Sequence, residues 1–139
     1  MNPSEFRALL QRLADAWSNL DTETAVACFT TDAVYMEPPS EQLFVGHAQL
    51  RPYFAALEPG TFMRWTGVWF DETSQTGAGE FVFGDEGDAL ADHGVAVIDI
   101  EDGLIARWRE YLQKGPADQD AFLTVDGKEW TWHIGRYSD

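Results

Sequence analysis

The chain has 139 residues, 45% hydrophobic and 14% aromatic, which describes one folded domain with a sizeable core. Lys and Arg number 9 against 24 Asp and Glu, a net charge of −15 that repels nucleic acid and anionic membrane surfaces. The single cysteine, Cys28, has no internal disulfide partner, so a cytoplasmic location is expected.

The N-terminus shows no charged-then-apolar signal pattern, and no run reaches membrane-spanning length. CxxC, HExxH, phosphate-loop and GxGxxG motifs are absent, as are internal repeats. Three histidines without ligand spacing argue against a metal site, and no cofactor is implied. Six Trp and nine Phe either line a cavity or fill the core.

Asn2 can cap a helix whose first turn holds Pro3 and Glu5. Phe6, Leu9, Leu10, Leu13, Trp17 and Leu20 follow helical spacing and need a flat apolar surface beneath them. Asp21 caps a short second helix carrying Ala25, Val26 and Phe29, ended by Thr31-Asp32. Residues 33–37 form a short strand, stopped by Pro38-Pro39. Gly46-His47 leads into a third helix over 48–57, broken by Glu58-Pro59-Gly60. His47 reads as structural.

Strands follow. Residues 62–70 form a long aromatic strand, in which alternation puts Trp65 and Trp69 on one face, as it does Trp130 and Trp132 further on. Residues 74–79 read as a turn and 80–83 as the next strand. The acidic loop 84–88 precedes a long hairpin, His93 to Gln113, closed by Glu101-Asp102-Gly103. On its return strand Ala106, Trp108, Glu110 and Leu112 share one face. Ile105, Arg107, Arg109, Tyr111 and Gln113 share the other. Beyond Gly115, Asp126-Gly127 suggests a small hairpin that carries His133. Three helices followed by strands give an α+β class, with a curved sheet wrapped around the first helix and leaving a cone-shaped cavity.

Three passages carry a family resemblance. One is the junction Trp17-Ser18-Asn19-Leu20-Asp21. The second runs from Phe29 to Pro38 and on to Gly46-His47. The third runs from Asp102-Gly103-Leu104-Ile105 into Trp108-Arg109-Glu110-Tyr111. Together they resemble the nuclear transport factor 2-like, or ketosteroid isomerase-like, superfamily in its SnoaL-like branch. The resemblance spans roughly Phe6 to Gln113, within a single 1–139 domain whose 115–139 tail lies outside it. It implies a cone-shaped α+β roll and a substrate cavity. Function is not implied with the same force, since one fold hosts many chemistries.

The resemblance puts Glu37, just before a proline, at the general-base position of ketosteroid isomerases. A carboxylate there would have its pKa raised by its apolar surroundings, suiting proton abstraction beside a carbonyl. The plain alternative is a strand-end glutamate in a local ion pair. Counted back from the Gly103 turn, His93 falls near that family's protonated aspartate, where it could donate a hydrogen bond or shuttle a proton. Equally, it could be a satisfied strand-end histidine. Glu110 matches one aspartate of the Asp-Arg-Asp arrangement of limonene-epoxide hydrolases. The preceding strand reads Glu80-Phe81-Val82 instead of Arg-x-Asp, which excludes epoxide hydrolysis by that arrangement. The isomerase tyrosine of the first helix is also missing, with Leu13 in that turn.

The expectation is therefore an acid–base enzyme of isomerase, cyclase or dehydratase type on a small, mostly apolar ligand. Glu37, His93 and Glu110 would be its catalytic groups, and Tyr35, Trp17, Trp108 and Leu112 its substrate wall. The rival is a non-catalytic binding or accessory protein built on the same cone. A homodimer is expected through the outer sheet face, to which this reading assigns Ile98, Ile100, Arg107, Arg109 and Tyr111.

Overall fold

The computed structural model describes residues 1–116. The suggested tail hairpin, with Trp130, Trp132 and His133, lies outside the described residues.

Helix α1, Pro3–Ser18, starts with the expected capping box. The Asn2 side chain accepts the Ser4 and Glu5 N–H groups at 2.9 and 3.0 Å, and the Glu5 carboxylate accepts the Asn2 N–H at 2.8 Å. This satisfies donors that a helix start leaves orphaned. Phe6, Leu10, Leu13 and Trp17 are buried along the stripe. Leu20 lies beyond the helix, at a φ of 56°, and is exposed. Helix α2, Thr22–Val26, is capped by the Asp21 side chain, which accepts the Thr24 N–H at 3.0 Å.

Strand β1 runs over Phe29–Glu37, longer than the alternation suggests. Its pairing is irregular between Phe29 and Val34, which is why Thr31-Asp32 reads locally as an ending and why Phe29 belongs to the strand, not to α2. A 3-10 turn at Pro38–Ser40 leads to β2, Gln42–Val45, then to α3, Gly46–Phe54. His47 Nε2 bonds the Phe29 carbonyl at 3.0 Å and ties α3 to β1.

Four long strands complete the described chain: β3 Thr61–Asp71, β4 Thr76–Asp85, β5 Leu90–Glu101 and β6 Leu104–Pro116. The sheet order is β2-β1-β6-β5-β4-β3. β1 pairs with β6 in parallel, and every other pair is antiparallel. The fold is thus α+β, with the helices on the inner side of a curved, open, mixed sheet. Among the described residues no helix is long and apolar enough to cross a membrane.

The segment expected to be a turn, 74–79, mostly belongs to β4. Gly77 and Gly79 are there for close approach, not for bending. A Cβ on Gly77 would sit 2.5 Å from the Phe6 ring, and one on Gly79 2.2 Å from the Trp65 ring. The missing side chains let two large aromatic rings lie flat on the sheet.

Two bulges correct the expected faces. In β3 the extra residue is Thr66, because Trp65 pairs with Phe81 while Gly67 pairs with Glu80. Trp65 therefore turns inward and donates its indole N–H to the Leu10 carbonyl at 2.9 Å. Trp69 turns outward and is 60% exposed, so the two do not share a face.

In β6 the extra residue is Ala106: Ile100 pairs with Ile105, but Asp99 pairs with Arg107 and Ile98 with Trp108. An unbulged hairpin around Asp102-Gly103 would have paired Ile98 with Arg107. The single inserted residue inverts the phase of β5 against β6. Ile98, Ile100 and Ile105 consequently sit in the core, not on the outer face. The outer face carries Val95, Asp99, Arg107, Arg109 and Tyr111, with Asp99 within 3.5 Å of Arg107 and 4.0 Å of Arg109.

Candidate functional site

The parallel pairing of β1 with β6 builds the site. Tyr35 lies beside Trp108 and Met36 beside Arg109, so the next residues along, Glu37 and Glu110, arrive at the same level of the sheet. Pro38 and Pro39 end β1 directly after Glu37, since neither can donate a ladder hydrogen bond. Glu110 is placed inward by alternation with Trp108 and Leu112 once the bulge is passed. Both carboxyl groups are buried, with Glu37 at 5% and Glu110 at 6% exposure.

Each carboxyl has a fixed donor. The Tyr53 hydroxyl, from α3, donates to Glu37 Oε1. The Trp108 indole N–H donates to Glu110 Oε2 at 2.8 Å. Behind them the Tyr35 and Trp108 rings stack, with centroids 5.6 Å apart and planes within 7°. This arrangement restricts both glutamates to narrow positions, because their partners are themselves held by the surrounding packing.

The two carboxyls line a cavity of about 260 Å³, walled on its apolar side by Trp17, Met63, Phe81, Phe83 and Leu112. Ser40, Gln42 and Asp92 contribute its polar rim. Trp17, Tyr53 and Phe83 are shared with an adjoining apolar recess of about 180 Å³, closed by Phe54, Ala56 and Leu57. Both volumes lie below the roughly 300–1,000 Å³ of typical ligand pockets, which suits a small ligand. Among the described residues no Lys, Arg or His lines either space, and no His, Cys, Asp and Glu cluster has a metal-holding geometry.

Burial pushes Glu110 up from an ordinary 4.5 to about 8. The Trp108 hydrogen bond opposes this, the neighbouring Glu37 charge adds to it, and a hydrogen bond with Tyr35 works against it. Glu110 therefore holds its proton at neutral pH. Burial also raises both tyrosine hydroxyls, Tyr35 and Tyr53, so they stay neutral donors.

The expected residues separate into three groups. Glu37, Glu110, Trp17 and Leu112 face the cavity. Tyr35 and Trp108 are buried behind its wall and position Glu110 instead of lining the space. His93 does not converge with the glutamates. It pairs with Gln113 and lines an outer-face groove with Trp69, Glu80, Val95 and Tyr111. The β6 bulge is the reason: the unbulged count gives His93 the inward phase, and the bulge gives that phase to Asp92. Sequence reasoning also misses Asp92, Tyr53, Met63 and Phe83 as members of the site. Tyr53 is legible only as one of several positions on the apolar face of α3, and Asp92 needs the bulge.

A larger groove of about 480 Å³ lies at the turn end of the hairpin, lined by Thr30, Asp32, Gln75, Thr76, Asp99 and Arg107, among others. Its Asp99 is engaged by Thr76 at 2.9 Å and by Arg107. It offers no buried acid–base pair, so the smaller cavity is the stronger candidate site.

The SnoaL-like domain model matches residues 10–108. No curated protein matches the sequence. Solved structures share the fold at low identity. A protein of unknown function with cystatin-like fold from Methylobium petroleophilum PM1 is 19% identical, with a TM-score of 0.73 over 85% of this chain and 82% of that one. An LEH-like epoxide hydrolase from M. tuberculosis is 16% identical, with a TM-score of 0.66 over 80% and 84%. A hypothetical protein with ketosteroid isomerase-like fold from Catenulispora acidiphila DSM 44928, in complex with trimethylamine, is 15% identical, with a TM-score of 0.65 over 74% and 83%. With the cone, its inward carboxyls and a family model covering most of the described residues, the chain belongs to the SnoaL-like family.

Proposed function

We propose that the protein is a cofactor-independent acid–base enzyme of isomerase, cyclase or dehydratase type, acting on a small, mostly apolar substrate in the cavity. The observation that carries this reading is the buried pair Glu37 and Glu110 on one wall, with Glu110 neutral at physiological pH. Glu37 removes a proton from the carbon next to a carbonyl. Glu110 donates to the oxygen that gains charge, or supplies the proton that completes the shift. Returning the proton to another carbon gives isomerisation, and loss of a neighbouring hydroxyl as water gives dehydration. Tyr53 and Trp108 hold the two groups in place. Epoxide hydrolysis of the Asp-Arg-Asp kind is not proposed, because no arginine lines the cavity among the described residues.

The test is α-proton exchange. A panel of small cyclic ketones in D2O, followed by NMR, should lose α-protons faster with the protein than in buffer. Glu37→Gln should slow that exchange by about 10²-fold or more. A folded wild type that exchanges no ketone faster than buffer would sink the catalytic reading and leave a binding module.

Two further readings accompany this one. Exposed Trp69, Val95 and Tyr111 support a homodimer through the outer sheet face. A lone, buried Cys28 supports a cytoplasmic setting.

A further inference from the structure

Trp17, which lines the cavity, carries a buried polar atom that the acid–base scheme leaves unused. The Trp17 indole N–H is buried and has no hydrogen-bond acceptor. The other two inward-facing indoles among the described residues both have one: Trp65 donates to the Leu10 carbonyl and Trp108 to Glu110. Trp17 itself is 5% exposed and borders both the acidic cavity and the adjoining apolar recess. Its ring is held edge-on by Phe54, Phe83 and Trp108, with centroids 5.4, 6.4 and 5.8 Å away. An indole N–H can only donate, so its one unmet demand is for an acceptor. Buried polar groups in folded proteins are overwhelmingly partnered, and a lone orphan on a cavity wall calls for an explanation.

We propose that Trp17 donates its indole N–H to an acceptor oxygen of the bound ligand, and that the ligand is an uncharged carbonyl or hydroxyl compound with an otherwise apolar body. The proposal rests on the reading of this cavity as the ligand site and names the class of ligand it takes. The surroundings narrow the choice. The Glu37 and Asp92 carboxylates line the space beside the neutral Glu110, with no cation among the described residues, so an anionic ligand is repelled. An ammonium ligand has no lone pair to offer the indole and would leave it orphaned. A hydrocarbon would leave it orphaned too. A neutral oxygen satisfies it, while Trp17, Met63, Phe81 and Phe83 cover the apolar remainder.

Three probes of one shape test this on the native protein: cyclohexanone, methylenecyclohexane and the cyclohexylammonium ion. Indole 15N labelling reports the Trp17 N–H directly, its resonance assigned by its loss in Trp17→Phe. The expected result is that cyclohexanone moves the Trp17 indole proton downfield and binds about threefold to tenfold more tightly than methylenecyclohexane, the worth of one net hydrogen bond. In Trp17→Phe that preference should fall to about one. Should this variant fail to fold, through-bond assignment of the native protein identifies the Trp17 indole resonance, and its response to the ketone still decides.

A Trp17 resonance that stays put as the ketone binds would overturn the proposal. So would equal binding of the hydrocarbon, tighter binding of the ammonium ion, or no binding by any probe. The acid–base reading fails separately. Ketone bound on Trp17 without α-proton exchange would keep this inference and remove that one. Exchange that proceeds with unchanged KM in Trp17→Phe would do the reverse.

Discussion

Glu110→Gln should remove most of a pH dependence that the wild type carries in its stability. The native carboxyl titrates at about 8 and the unfolded one near 4.5, so between those values the native state holds a proton that the unfolded state has released. Stability must then fall as pH rises, because unfolding releases a proton. Each pH unit between the two values costs about 1.36 kcal/mol, an upper limit of about 5 kcal/mol, of which about 3.5 kcal/mol is lost between pH 5 and pH 8. The amide of the variant stays neutral and can still accept the Trp108 N–H, so its curve should lack that fall. Urea denaturation of both proteins from pH 5 to pH 9 reads the difference. The other carboxylates, including Asp21 and Asp71 held low by local hydrogen bonds, cancel between the two curves. Parallel curves for wild type and variant would show that Glu110 ionises normally in the folded protein, and would refute a neutral acid on the cavity wall.

Ketone exchange should fall as pH rises through about 8, where Glu110 loses its proton; a rate that climbs through that range would reassign the acid. Tyr53→Phe strips the hydroxyl donor from buried Glu37 and should cost about 1–3 kcal/mol in urea melts, with an unchanged midpoint counting against the contact. Gly79→Ala puts a Cβ 2.2 Å from the Trp65 ring, so repacking and loss of the Trp65–Leu10 bond should cost about 1–3 kcal/mol, read as a lower Tm. Light scattering at micromolar concentration should give a dimer that Trp69→Glu converts to monomer; a monomeric wild type would dismiss the outer-face interface.

Local patterns determined much of the architecture. The α1 stripe, its capping box, the proline stop after Glu37 and the Asp102-Gly103 turn each depend on residues within a few positions of one another, so their physics is readable in order along the chain. Asp102 and Gly103 take φ values of 50° and 81°, the pair that such a two-residue turn demands. The placing of Glu37 and Glu110 on a cavity came from the family resemblance. Their meeting depends on a parallel pairing between strands some seventy residues apart in sequence, a partnership no local pattern encodes.

Strand phase was the part that only tertiary structure decided. Side chains alternate with a period of two, so one extra residue in a ladder sends every later side chain to the opposite face. Ala106 did this between β5 and β6, exchanging His93 for Asp92 on the cavity side and sending Ile98 and Ile100 into the core. Thr66 did it within β3, parting Trp65 from Trp69. Neither residue carries a bulge signature of its own. Each bulge is settled by what the whole sheet gains when Ile98, Ile100 and Ile105 join the buried core and Trp65 turns inward onto Leu10 and Trp108, a sum over distant contacts that alternation along one strand does not contain.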